Sequence, residues 1–275
     1  MKRGAEQHLE SSIPLILIAI LAVFVAAKFN FIDCSGIPGL SVICPAANIR
    51  VAVIGNPTKA MEDLLNSEDF RVAGVSYMGN LHQDTVYSGV LSQFDIIILQ
   101  GEQVCDRTAR KVIADKVKAG GKMIVIQDAC TKVHDDTTVV GWDVGIGLLG
   151  DVMPVQIGGF TREYEPIKKT SITGTFKIVS VDSPIFPTGQ KNYEFSSYVV
   201  KVVPSSKVES NVLAYIQQGT DDTTTDPAVF AMLESKSLLS GKVVYFAYDP
   251  ATLVSQDKGR NLFLNTLLYL KGSKG

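Results

Sequence analysis

The sequence is poor in histidine. Only His8, His82 and His134 occur among 275 residues, and none follows position 134. Imidazole base chemistry is therefore confined to the first half of the chain. Long runs of one charge are missing, and the formal net charge is −2. Without a basic footprint, nucleic acid is not expected as a partner. Neither G-x-G-x-x-G nor G-x-x-x-x-G-K-[ST] occurs. The first glycine turn reads VIGNPTK, where Gly55 permits the turn, so no dinucleotide or triphosphate cofactor is assigned. Internal repeats and low-complexity tracts are absent. The single N-x-[ST] match, Asn56-Pro57-Thr58, is disqualified by its proline. The polar stretch GTDDTTTDP at 219–227 lacks the closing glutamate of a calcium loop and reads as a solvated loop tip.

What is present begins at the amino terminus. Residues 13–27, IPLILIAILAVFVAA, carry no charge, and extension to Ile32 admits only Lys28 and Asn30 near the end. About 20 helical residues match the roughly 30 Å hydrocarbon thickness, and Pro14 falls in the first turn, where its missing N–H costs least. The spacing predicts one transmembrane helix over 12–31. A cleaved signal peptide is the competing reading, with Val25 and Ala27 as small residues before a cut. Against it stands the long, mixed-charge leader MKRGAEQHLESS. Lys2 and Arg3 precede the segment, while Lys28 follows closely and Arg50 only at a distance. That bias puts the amino terminus inside and the remainder outside the cytoplasm. The expected organisation is a leader (1–11), a signal anchor (12–31), a linker (32–48) and a globular domain (49–272).

Four cysteines follow the anchor: Cys34, Cys44, Cys105 and Cys130. Cys34 and Cys44 bracket a Gly/Pro-containing loop just outside the membrane, where a disulfide suits an oxidising exterior. Their spacing is not that of a zinc site, and no metal is assigned. DIIILQ (95–100) and KMIVIQ (122–127) read as buried strands, and 106–119 between them as a helix closing at Gly120-Gly121. In such a βαβ unit both thiols, Cys105 and Cys130, emerge at one carboxyl edge of the sheet. Three readings stay open for Cys130: a disulfide with Cys105, a free structural thiol, or a catalytic thiolate served by His134. TKVHDDTTVV after Cys130 reads as a loop.

Other elements complete the pattern. IRVAVIG is a strand, 58–66 a helix with Thr58 as its cap, RVAGVSYM a strand, and 85–92 helical. The order β-α-β-α-β-α-β predicts an α/β fold with a doubly wound, mostly parallel, flavodoxin-like sheet. After position 140 comes a glycine-rich stretch with Trp142, read as a rim or edge cover. Shorter β-like runs follow (FKIVSV, YVVKVV, NVLAYIQ, AVFAML), several alternating as in an antiparallel extension. GKVVYFAYDP is another buried strand, and 258–270 a closing helix.

The order of IRVAVIGNP, FDIIILQGEQ, AGGKMIVIQDAC, DSPIF, GKVVYFAYDP and RNLFLNTLLYL resembles the class I glutamine amidotransferase-like (GATase-like) fold over about 49–272. That group includes amidotransferases, ThuA-like proteins and non-catalytic domains of membrane assemblies, such as an accessory subunit of oligosaccharyltransferase. The resemblance implies a nucleophilic cysteine on a glycine-flanked elbow after a central strand, and a late His-x-Glu pair. Cys130 falls near the elbow, but Ala129 and Thr131 flank it and no late histidine exists. Ser183 stands where ThuA-like relatives show a histidine before Pro-Ile. The resemblance thus implies the fold while the residues argue against the chemistry.

Three functions follow as expectations. The leading one is a membrane-anchored, extracytoplasmic, non-catalytic GATase-like domain, serving as accessory or interaction subunit of a complex with integral membrane partners. Its glycan or protein ligand would meet the carboxyl edge at Gly55, Asn56, Glu102, Gln103, Asp128 and His134. The alternatives are a ThuA-like hydrolase or transferase using Asp128, Cys130, His134 and Asp135, and a component of a cell-surface layer or filament.

Overall fold

The computed structural model describes residues 48–134, 136–143, 149–157, 167–186, 192–218, 229–236, 241–256 and 258–272. The expected anchor, Cys34, Cys44 and the 219–227 loop lie outside them. Among the described residues no helix is long and apolar enough to cross a membrane. The chain divides into Met1–Asn48 with Val72–Gly74, and Ile49–Arg71 with Val75–Gly275. The architecture below is that of the second unit.

The elements are β1 (Ile49–Gly55), α1 (Lys59–Leu65), α2 (Glu68–Val72), β2 (Val75–Leu81), α3 (Ser88–Leu91), β3 (Ile96–Gln100), α4 (Arg107–Lys118) and β4 (Lys122–Ile126). Then come β5 (Lys132–Val133), β6 (Asp136–Val140), β7 (Val155–Ile157), β8 (Lys169–Ile178), β9 (Tyr193–Val200), β10 (Val202–Pro204), β11 (Ser210–Gln218), β12 (Val229–Ser235), β13 (Lys242–Phe246) and α5 (Lys258–Gly272). One nine-stranded sheet runs β2-β1-β3-β4-β13-β12-β11-β8-β9. The first five strands are mutually parallel and the rest antiparallel.

Strand periodicity explains the layering. Ile96 and Ile98 of β3, with Ile124 and Ile126 of β4, join Met61, Leu64, Phe70, Leu262, Phe263 and Leu267 in one core layer. Ile97 and Leu99, with Met123 and Val125, join Ile113, Ala114 and Val117 of α4 in the other. Continuous apolar strands are required because helices cover both faces. Thr58 caps α1 by accepting the Met61 N–H, as its sequence position implied.

The antiparallel half curls back on itself. Val199 of β9 bridges Tyr248, and the Val200 N–H donates to the Ala247 carbonyl at 2.8 Å, just beyond β13. The far edge strand thus returns to the sheet's middle, removing part of an open edge. Phe176, Tyr193, Phe195, Phe246 and Tyr248 fill the curl, Phe176 and Tyr193 stacked at 4.7 Å and Phe195 and Tyr248 edge-on at 5.1 Å.

Several sequence expectations need correction. The 85–92 helix is a 3₁₀ turn at Gln83–Thr85 followed by the single turn α3. The loop after Cys130 contains the hairpin β5–β6, because its β-branched residues pair locally. YVVKVV is broken at Lys201 between β9 and β10, and β8 begins well before FKIVSV, at Lys169. Trp142 is no rim residue. It is fully buried, its indole donates to the Ala129 carbonyl at 2.9 Å, and it meets Tyr245 edge-on.

Candidate functional site

Parallel strands end together, so the residues following β1, β3, β4 and β13 share one rim. After β1, the Asn56 amide donates to Glu102 Oε2 at 3.1 Å. The two loops touch tightly. A Cβ on Gly101, whose φ is +80°, would lie 1.7 Å from the Asn56 carbonyl oxygen. After β4 comes a sharp turn, with Gln127 at φ 54° and Cys130 at φ 55°. Such values are uncommon outside glycine.

Beyond the turn, the chain from β4 keeps pairing with that from β3. Cys130 N–H donates to Glu102 O at 2.8 Å, Lys132 N–H to Gln103 O at 2.8 Å, and Cys105 N–H to Lys132 O at 2.9 Å. That short ladder brings the Cα atoms of Cys105 and Cys130 to 4.9 Å, and the two form a disulfide. Both cysteines are buried in the α4-facing core layer. Of the three readings left open for Cys130, the disulfide is the one found.

The position directly after β4 is held by Gln127, not by Cys130. The resemblance places a nucleophile there, whereas a carboxamide is not one. Its Nε2 donates to the Tyr198 carbonyl at 2.9 Å, tying the turn to β9.

Asp128 is 3% exposed. It accepts from Gln103 Nε2 and pairs with Lys169 Nζ at 3.2 Å. Gln103 and Asp128, both expected at this edge, are thus brought together, as are Asn56 and Glu102. His134 is not part of that group. It is exposed at the β5–β6 turn, and among the described residues no hydrogen bond or ion pair joins it to Asp128. Asp135 lies outside the described residues. Ser183 falls between β8 and β9, at the opposite, amino edge.

The rim contains three residues that the sequence reading did not single out. Asp249, following β13, is buried; its Oδ2 accepts from Thr58 Oγ1 at 2.9 Å and Gln100 Nε2 at 3.0 Å, and its Oδ1 from the Ala251 N–H at 3.0 Å. Burial raises its pKa, and these donors and the nearby Lys169 only partly offset that. Gln100 is also buried, and its Oε1 has no hydrogen-bond partner. Lys169 reaches the rim from the start of β8. An Asp-Pro pair after a buried strand was a usable signal for Asp249. Lys169 had none, since only the curl of the antiparallel half delivers it. Among the described residues, no group of three or more His, Cys, Asp or Glu is placed to hold a metal.

The rim therefore pairs Asn56 with Glu102 and Gln103 with Asp128, and brings Lys169 against Asp128. No family model and no curated protein matches this sequence. Among solved structures, the chain is similar to a ThuA-like protein from Bacteroides uniformis, at 8% identity over 82% of this chain and 92% of that one, TM-score 0.53. It is also similar to PurLQS from Thermotoga maritima, at 14% identity over 81% and 99%, TM-score 0.50. A β-galactosidase from Bacillus circulans sp. alkalophilus matches at 16% identity over 82% of this chain but 31% of that one, TM-score 0.50, so this chain spans about a third of that enzyme. The likeness to ThuA-like and GATase-like proteins is distant and is one of fold.

Proposed function

We propose that this protein is an extracytoplasmic binding domain, tethered by residues 12–31, that serves as an accessory or interaction subunit of a membrane complex. The observation carrying the reading is the state of Cys130: it is bonded to Cys105 and buried, so it has no thiolate to offer. Gln127 occupies the turn in its stead, and its amide is already engaged with β9. A disulfide between core residues also fits an oxidising compartment. The ligand-facing surface is the carboxyl rim, with Asn56, Glu102, Gln103 and Asp128.

A hydrolase or transferase is the second reading. The observation favouring it is Asp249, a buried carboxyl with a raised pKa beside Lys169, the kind of group that acid–base chemistry uses. Its proposed nucleophile, Cys130, would first have to be reduced.

Two measurements test the proposal. Alkylation of the denatured, unreduced protein, read by peptide mass, should leave Cys105 and Cys130 unlabelled; labelled Cys130 would favour the enzyme. Purification in mild detergent should retain an integral membrane protein in stoichiometric amount. A lone monomer that turns over glutamine or ester substrates would refute the subunit reading.

A further inference from the structure

Strand β9 turns one aromatic residue to solvent. Phe195 and Val199 are buried, whereas Tyr198 is 62% exposed. The register sets Tyr198 opposite Ser171 and Val200 opposite Lys169. Paired residues share a face and alternate residues return to it, so Tyr198 and Lys169 are diagonal neighbours on one face. The other exposed residues of that face are small: Ser171, and Thr173 with Ser196, whose hydroxyls lie 3.2 Å apart. None of them is long enough to cover the ring.

Two contacts hold this tyrosine against the carboxyl rim. Gln127, in the positive-φ turn after β4, donates its amide to the Tyr198 carbonyl at 2.9 Å. The Val200 N–H donates to Ala247 O, just beyond β13, at 2.8 Å. Strand propensity accounts for a tyrosine in β9 but not for its attachment to the turn. From the diagonal position Lys169 reaches Asp128 Oδ1 at 3.2 Å, and Asp128 also accepts from Gln103. An uncovered aromatic ring thus stands beside an ammonium group and a carboxylate.

That combination suits a sugar. A pyranose offers a C–H face to an aromatic ring, and hydroxyls at its margin that each give and take a hydrogen bond. Asp128 only accepts and Lys169 only donates, so adjacent hydroxyls can satisfy both. Charge selects no other ligand. Lys168 precedes Lys169 and Lys201 follows Val200, while Asp128 and Asp249 lie beside Lys169, so neither an anion nor a cation is favoured.

We propose that this corner binds a neutral saccharide, one sugar ring stacking on Tyr198 while its hydroxyls meet Lys169 and Asp128. The inference rests on the binding-domain reading above and names the class of its ligand.

The experiment uses the full chain in a detergent without a sugar headgroup. Ligand-observed NMR titrations use neutral hexasaccharides of glucose, galactose, mannose and N-acetylglucosamine, with a hexauronate and a hexaglucosamine as charged controls. At least one neutral hexasaccharide should bind saturably and more tightly than either control. Tyr198→Ala should weaken it roughly threefold to tenfold, while Tyr198→Phe, which keeps the ring, should bind as the parent does. Tyr87→Ala, removing an equally exposed tyrosine before α3, should change nothing. Unchanged binding by Tyr198→Ala, preference for a charged control, or no binding across the neutral set overturns the saccharide site. The last result, in a chain that still co-purifies with an integral membrane protein, leaves the subunit reading standing. Tyr198-dependent binding with cleavage of the saccharide keeps the site and refutes the non-catalytic reading.

Discussion

Removing the Cys105–Cys130 bond is the perturbation whose size the structure fixes best. The crosslink closes a loop of sequence separation 25. The chain-entropy relation gives about 3.5 kcal/mol for such a loop. Both sulfurs lie inside the α4-facing core layer, so alanine adds a small cavity worth about 1 kcal/mol. The double variant Cys105→Ala/Cys130→Ala should therefore lose about 4–5 kcal/mol. For a domain of this size that is a fall in thermal midpoint of roughly 9–18 °C, read by circular dichroism in detergent without reductant. Because either single alanine breaks the same bond, each single variant should lose nearly as much as the double. Small, additive shifts from the two singles would mean the sulfurs are not bonded, and the argument that Cys130 is braced rather than reactive would fail.

Other outcomes follow from the rim and core. Asp249→Asn should flatten the dependence of the thermal midpoint on pH above pH 4. A carboxyl with a raised folded-state pKa favours folding below its unfolded value of 3.8, and that contribution is lost as pH rises through the folded value; a variant that keeps the wild-type slope above pH 4 would contradict the assignment. Trp142→Phe leaves the buried Ala129 carbonyl without its donor and should cost about 1–3 kcal/mol. As the single tryptophan, Trp142 should emit at short wavelength and shift red on unfolding. Gly101→Ala must move the Asn56 loop, so a loss of roughly 1–3 kcal/mol is expected by thermal shift, and an unchanged midpoint would show that the loop gives way freely.

Much of the parallel half was legible because its signals are local. IIIL (96–99) and MIVI (123–126) are apolar at every position, as strands covered on both faces must be, and Thr58 and Gly120 mark helix ends by backbone chemistry alone. The relation of Cys105 to Cys130 followed from the rule that a βαβ unit sets its strands side by side. The candidate site was legible only in part. Asn56, Glu102, Gln103 and Asp128 could be set at the carboxyl edge because strand ends are easily placed. His134 was misplaced into the group because the hairpin that carries it away pairs through β-branched residues that read as loop.

Local pattern alone set the strand and helix periodicities of the α/β half, the shortage of imidazole, and the edge from which both core cysteines emerge. Tertiary structure decided that Gln127 takes the turn after β4, that Lys169 meets Asp128, and that Asp249 is buried against Gln100 and Thr58. Those contacts span 41 to 191 positions, the last being the Thr58–Asp249 bond. Periodicity reports which face a residue takes within its own element. It carries no information on which distant strand end will be folded against it.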